Sequence, residues 1–233
     1  MILSLETSTS VCSIAVHKNG LCLAEQIYNV PKSHTTLMPE VIRQLLGNLN
    51  IDRSALEAIA VSDGPGSYTG LRIGTATGKG LCSALKIPLI SINSLDIMVE
   101  EMRPIVAGIS YIAPMIDARR MEVYMKLVDK KCLELIDTQA VILSPDLFDH
   151  YVEHPILLVG DGASKCQGFI DHPYLKVAPY IYPRAQCMGL LAFQKFKKRA
   201  FENLQNFEPN YFKEFYTRPV SYTHLTLPTI YSV

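Results

Sequence analysis

Residues 61–81 read VSDGPGSYTGLRIGTATGKGL, and their first four letters return with one change as VGDG at 159–162. Both quartets close a short apolar run (ALEAIA before the first, PILL before the second), so each reads as a buried strand stopping at an Asp-Gly turn. The match extends outward from there. Upstream of the first quartet, ILSL ends at Glu6, and VCSIAV and LCLAEQIY flank Asn19-Gly20, a strong hairpin signal. Upstream of the second, YIAPMIDARR carries Asp117, and MEVYMKLV and CLELIDTQAV meet at a DKK turn. Glu6 stands twelve residues before Lys18, and Asp117 stands twelve before Asp129. Two matches in the same order indicate a duplicated unit of strand, acid, strand, turn, strand, helix, strand and Asp-Gly loop. Helices are predicted at 33–49, where Leu37, Val41, Leu45 and Leu49 recur every fourth residue, after Thr69, from Ser94, over SPDLFDHYVEH and over AQCMGLLAFQKFKKRAF.

Two mixed α/β halves with acid-tipped hairpins facing one cleft are similar to the actin, sugar-kinase and Hsp70 architecture, a ribonuclease H-like duplication. This reading sets the lobes at 1–105 and 106–215. An unrelated mixed α/β fold is the alternative.

The composition narrows the function. Hydrophobic residues make up 48 % and charged residues 19 %, enough for a substantial core. Lys plus Arg and Asp plus Glu both number 22, so a protein gripping RNA by itself, with a basic excess, is disfavoured. Six cysteines without a Cys-x-x-Cys pair read as reduced thiols of a cytoplasmic protein. The start MILSLETS has neither a basic flank nor a long apolar run, so no signal peptide is expected.

The six glycines of residues 61–81 invite a phosphate-loop reading, which fails in detail. Gly78-Lys79 is followed by Gly80 rather than Ser or Thr, and Gly64, Gly66 and Gly70 miss the dinucleotide spacing by one. A generic anion site at a helix start capped by Ser67 or Thr69 survives. Gly70, Gly74, Gly78 and Cys82 form a stripe of small residues, costing the helix roughly 1 kcal/mol per interior glycine. Such a cost fits close backbone approach, either to the protein's own sheet or to a second helix across a subunit interface. On the interface reading, Gly74→Leu breaks pairing and leaves the monomer folded.

The strings GPGSYTGLRIG, LETST, SHTTLMP, IDARRMEVY and PNYFKEF occur here in order, between Met1 and about Phe215. In this the chain resembles the bacterial TsaB (YeaZ) family. The resemblance implies a two-lobed actin-like fold and a part in making threonylcarbamoyladenosine beside the anticodon of tRNA. It implies a non-catalytic subunit that pairs with a metal-bearing, TsaD-like homologue, is joined by a TsaE-like ATPase, and forms a homodimer when alone. tRNA would be reached mainly through these partners. The implied pairing surface includes the helix after the glycine loop, here Gly70, Arg72, Gly74, Thr77, Gly78 and Leu81.

No catalytic residue is assigned, and no metal site. The catalytic homologues carry His-x-x-x-His where this chain has His34 and Met38, and a thioether is a poor ligand for a hard ion. His150 and His154 have the spacing, but Pro155 opposes helical geometry there. Glu6, Thr7, Asp63, Gly64, Asp117 and Arg119 are the candidate nucleotide cleft, with Asp161 opening the second Asp-Gly loop. The expectation is weak ATP or ADP with Mg at a cleft or subunit interface, and no tightly bound cofactor. The alternative function is a metallopeptidase-like or small-molecule kinase enzyme of this fold. KFKKR at 195–199 reads as a solvated helix face. Residues 216–233 depart from the family and read as an out-of-frame or cloning artefact.

Overall fold

The computed structural model describes residues 1–29, 34–104, 107–151 and 153–213, with backbone alone for 34–37. Two five-stranded mixed sheets carry the chain. The first runs in the order β3-β2-β1-β4-β5, built from β1 (Ile2–Glu6), β2 (Cys12–Lys18), β3 (Leu21–Tyr28), β4 (Ala58–Gly64) and β5 (Leu89–Asn93). The second runs β10-β9-β6-β7-β8, from β6 (Tyr111–Asp117), β7 (Glu122–Asp129), β8 (Glu134–Ile142), β9 (Ile156–Val159) and β10 (Leu175–Ala178). The orders correspond strand for strand. In each sheet an antiparallel three-strand meander continues into two parallel strands, so the duplication read from VSDG and VGDG is present in the topology.

The helices do not follow the expected boundary. α1 (His34–Asn48) and α2 (Tyr68–Leu85) cover one face of the first sheet through Val41, Leu45, Leu46 and Cys82. α3 (Ser94–Met102) turns Leu95, Met98, Val99 and Met102 toward Ile112, Ile116, Val128 and Val159 of the second sheet. α4 (Met188–Lys197) returns to the first sheet, where Met188 and Ala192 pack with Ile2, Ala15, Ile90 and Ile92. The lobes expected at 1–105 and 106–215 each hold one sheet, and α3 and α4 pack across that boundary. Each lobe lends a helix to the other, because a sheet with two apolar faces needs a cover on both.

Polar contacts secure both exchanges. Lys126 of β7, almost fully buried, binds Asp96 of α3 at 2.6 Å and Glu134 of β8 at 2.5 Å. Before α4, Arg184 binds Glu25 of β3 at 2.5 Å, and the Ala185 amide donates to Ser13 Oγ at 2.8 Å. The buried His17 ring links Ser4 Oγ at 3.1 Å to the Gln186 carbonyl at 3.2 Å.

Two further differences have local causes. SPDLFDHYVEH forms no α-helix; its amides at 147, 149, 151 and 154 each reach back three residues. Phe148 lies in the core there, and Tyr151 and His154 pack against the Tyr111 ring. After the second Asp-Gly pair stands only a 3₁₀ turn, Asp161–Cys166, where the first half has the eighteen residues of α2.

Exchanged helices make the lobes one thermodynamic unit. Calorimetry is expected to give one transition with equal calorimetric and van't Hoff enthalpies; two resolved transitions would show that α3 and α4 hold the lobes together only loosely.

Candidate functional site

The loop after β1 lies directly on the glycine loop and α2. The Thr7 amide donates to Ser62 Oγ at 3.3 Å, and the Thr7 hydroxyl donates to the Gly70 carbonyl at 2.8 Å. A Cβ on Gly70 would strike the Thr7 carbonyl, one on Gly74 the Thr7 hydroxyl, and one on Gly78 would sit 2.6 Å from Val61 Cγ1. The glycine stripe therefore faces the protein's own sheet. Gly70, Gly74 and Gly78 are buried there and are corrected as interface residues: they have no surface to offer a partner. Arg72 is exposed, and Thr77 and Leu81 are half-buried. The outer face of α2 is also composed mostly of small residues, with Ala76, Gly80, Ser83 and Ala84 exposed and nothing within 4 Å of a Cβ on Gly80.

At the start of α2 Ser67, Tyr68 and Thr69 are exposed, and two amides are engaged within the chain. The Ser67 amide donates to the Ser8 carbonyl at 2.6 Å, and Ser67 Oγ accepts the Gly70 amide at 3.3 Å. These are donors that a phosphate would need.

Glu6 ends β1 and is fully buried. Its Oε1 accepts the Ser8 amide at 2.6 Å, and its Oε2 has no partner among the described residues. Burial dominates and pushes its pKa up to about 7, against hydrogen bonds from Ser8 and Ser62, with Asp63 adding to the rise. Asp63 is pushed up to about 6, again chiefly by burial. Its Oδ2 accepts Asn210 Nδ2 at 3.1 Å, its carbonyl accepts the Asn210 amide at 2.7 Å, and Oδ1 is unpartnered among the described residues. Gly64, at φ +111°, admits the Asn210 carbonyl: a Cβ there would stand 2.6 Å from that oxygen.

The second lobe's acids are different. Asp117 is 43 % exposed at its side chain; it binds Lys165 at 2.6 Å and accepts the Arg119 amide at 2.5 Å, while its own amide donates to Asp161 Oδ1 at 2.9 Å. Burial raises the Asp161 pKa. Register explains the asymmetry. Glu6 lies one residue past the Leu5–Val61 pairing, whereas Asp117 lies three past Pro114–Val159, out at the strand tip. Arg119 is exposed on that tip, at φ 68°.

A C-terminal strap, unforeseen from the sequence, closes over these groups. Lys79 holds the Phe207 carbonyl at 3.1 Å, Asn210 sits on Asp63 and Gly64, and the Tyr211 ring lies 4.8 Å from that of Tyr68. Phe212 then reaches Tyr124 at 6.4 Å, and Lys213 pairs with Glu122 and donates to the Ala118 carbonyl at 3.3 Å. The strap touches both lobes within four residues. The aromatic Asn-Tyr-Phe-Lys string was its only signal.

The remaining candidates are scattered. His34 opens α1, and its side chain lies outside the described residues, as do residues 216–233. His150 is exposed, and His154 packs on Tyr111. Among the described residues no three His, Cys, Asp or Glu side chains gather as a ligand set. Of the KFKKR cluster, Lys195 turns back to the Ser91 carbonyl at 2.7 Å and Lys197 lies over the Phe193 ring. No described helix is long and apolar enough to cross a membrane.

Comparison with known proteins agrees with this geometry. The family described as "TsaD: tRNA N6-adenosine threonylcarbamoyltransferase" matches residues 23–215. The Bacillus subtilis protein named "tRNA threonylcarbamoyladenosine biosynthesis protein TsaB" is 32 % identical over 174 residues, 73 % of this chain and 75 % of that one. The Escherichia coli protein of the same name is 25 % identical over 223 residues, 91 % of this chain and 94 % of its own length. The crystal structure of YeaZ from Pseudomonas aeruginosa superposes with a TM-score of 0.77 at 25 % identity, covering 90 % of this chain and 98 % of that one.

Two outcomes follow. Gly74→Leu is expected to destabilise the monomer by at least about 2 kcal/mol through overpacking against Thr7, while Gly80→Ala is neutral or stabilising by up to about 1 kcal/mol; urea titration of both variants checks the contrast. For Glu6 the folded pKa lies above the unfolded one, so its contribution is intact below about pH 4.5 and is lost as pH rises through about 7. Glu6→Gln is expected to exceed wild type by about 3 kcal/mol at pH 8 and by less than about 1 kcal/mol at pH 5. A pH-independent difference would mean that the carboxyl is ionised in place.

Proposed function

The chain belongs to the TsaB (YeaZ) family, within the wider threonylcarbamoyltransferase homology, and we propose that it is the non-catalytic partner subunit in tRNA threonylcarbamoyladenosine biosynthesis. The reading rests on one observation: α2 is locked to the sheet on its inner face and presents short side chains on its outer face. A helix whose outer residues are Ala76, Gly80, Ser83 and Ala84 lets a second helix approach closely, at little cost in side-chain entropy. Arg72 at one end adds direction to the contact, and Thr77 and Leu81 border it.

The partner on this reading is the TsaD-like catalytic homologue, with a second copy of this chain taking the surface when the homologue is absent. A TsaE-like ATPase joins the assembly. The cleft acids support a supporting rather than catalytic part. Glu6 is buried with a pKa near 7, Asp63 is covered by Asn210, and the α2 amide of Ser67 is taken by Ser8. Any ATP or ADP with Mg would accordingly bind weakly, and at a subunit boundary rather than within this cleft.

Gly80→Leu tests the assignment. The variant is expected to keep its thermal midpoint, since leucine is the better helix former, and to lose both homodimerisation and capture of the homologue. Cells dependent on it should lose the modified nucleoside, measured by mass spectrometry of digested tRNA. Unchanged elution, capture and modification would remove the outer face of α2 from the account.

A further inference from the structure

The turn between β6 and β7 is made of Arg119, Arg120 and Met121. Both arginines hold left-handed backbone, at φ 68° and 49°, a conformation that glycine or asparagine takes at lower cost. The turn is firm: Ala118 N donates to Glu122 O and Glu122 N to Arg119 O, each at 3.2 Å. Both residues are exposed, and among the described residues neither guanidinium has a carboxylate partner. The nearby acids are committed elsewhere, Asp117 to Lys165 and Glu122 to Lys213.

The strap joins this turn to the opposite lobe. Lys213 touches the Ala118 carbonyl beside Arg119, and two residues earlier Tyr211 stacks on Tyr68. The Arg72 guanidinium lies 4.8 Å over the Tyr68 ring and likewise has no carboxylate partner among the described residues. Among the described residues, Glu208 lies within electrostatic reach of Tyr211, and Asp63 is buried. Tyr68 and Tyr211 thus stack beside Arg72, two residues of strap away from the turn that carries Arg119 and Arg120, and among the described residues no carboxylate pairs with any of the three arginines.

We propose that this saddle (Arg119 and Arg120 on one side, Arg72, Tyr68 and Tyr211 on the other) contacts an unpaired stretch of the tRNA substrate, resting on the function proposed above. Arginine forks match phosphate oxygens, and the aromatic faces suit splayed bases. An acidic protein surface would use the arginines but has no need of the ring pair. The strained turn fits as well, because strain is retained where side-chain placement matters.

The test uses the complex of this chain with its threonylcarbamoyltransferase homologue and a fluorescent, unmodified anticodon stem-loop RNA, titrated by anisotropy at several KCl concentrations. Arg119→Gly/Arg120→Gly should keep or raise the thermal midpoint, since glycine relieves the turn. It should still weaken RNA binding about tenfold and lower the slope of log K against log salt by about one. Tyr211→Ala should weaken binding with an unchanged slope. Unchanged affinity and slope in the double variant would overturn the saddle and leave the subunit role standing. Loss of homologue capture with RNA affinity unchanged would overturn it in favour of a protein contact. Failure of the wild-type chain to form the complex would overturn the subunit role and this inference together.

Discussion

The contact of Thr7 with the glycine face of α2 governs the first lobe. Three interior glycines cost the helix about 3 kcal/mol against alanine, so α2 is poor in isolation and depends on its bed. That bed is Thr7, through its carbonyl and hydroxyl, and the Val61 and Leu89 side chains of the sheet, close enough for the Thr7 hydroxyl to bond the Gly70 carbonyl at 2.8 Å. Closeness has two effects. It seals Leu71, Thr75 and Cys82 into the core, and it spends helix-start donors on Ser8 and Ser67. The same glycines that look like a phosphate loop in the sequence thereby serve close packing of the helix on its own lobe.

The strands, their hairpins and the duplicated Asp-Gly turns were legible because they follow from period-two patterning and local turn chemistry, whereas the order of the parallel strands in each sheet was not. The destinations of α3 and α4 were not. Both helices are amphipathic, and amphipathicity says that a face is buried without saying against which sheet. Leu95 and Met98 satisfy the pattern equally well on either lobe; the choice rests on Lys126 meeting Asp96 and on Arg184 meeting Glu25, pairs 30 and 159 residues apart in sequence. The segment 144–154 misled because capping residues and hydrophobic spacing fit an α-helix as well as they fit the short three-residue turns that form.

At the cleft, the residue types were visible and their environments were not. Glu6 and Asp117 look equivalent at equal distances from their hairpins, yet a two-residue difference in register buries one and exposes the other. The burial of Asp63 depends on Asn210, 147 residues away. The interface expectation for the stripe divided in the same way: the sequence places small residues along α2, but only packing decides that Gly70, Gly74 and Gly78 face inward while Ala76, Gly80 and Ser83 face out.

A formal charge of zero says little about local potential. Arg43, Arg103, Lys126, Lys165, Arg184 and Lys213 each lie against a carboxylate, so at short range their fields largely cancel. Arg72, Arg119 and Arg120 have no such partner among the described residues, and the strap links their surroundings, with Tyr211 on Tyr68 and Lys213 on the Ala118 carbonyl. Some of the counterbalancing acids, like Glu6, have their pKa raised by burial so that they carry less than a full charge near neutral pH. A chain with equal numbers of acids and bases can therefore present a cationic, aromatic edge to a polyanion, provided that the acids nearby are paired with other bases. Within about a Debye length, near 8 Å at physiological salt, the local arrangement sets the interaction and the total does not.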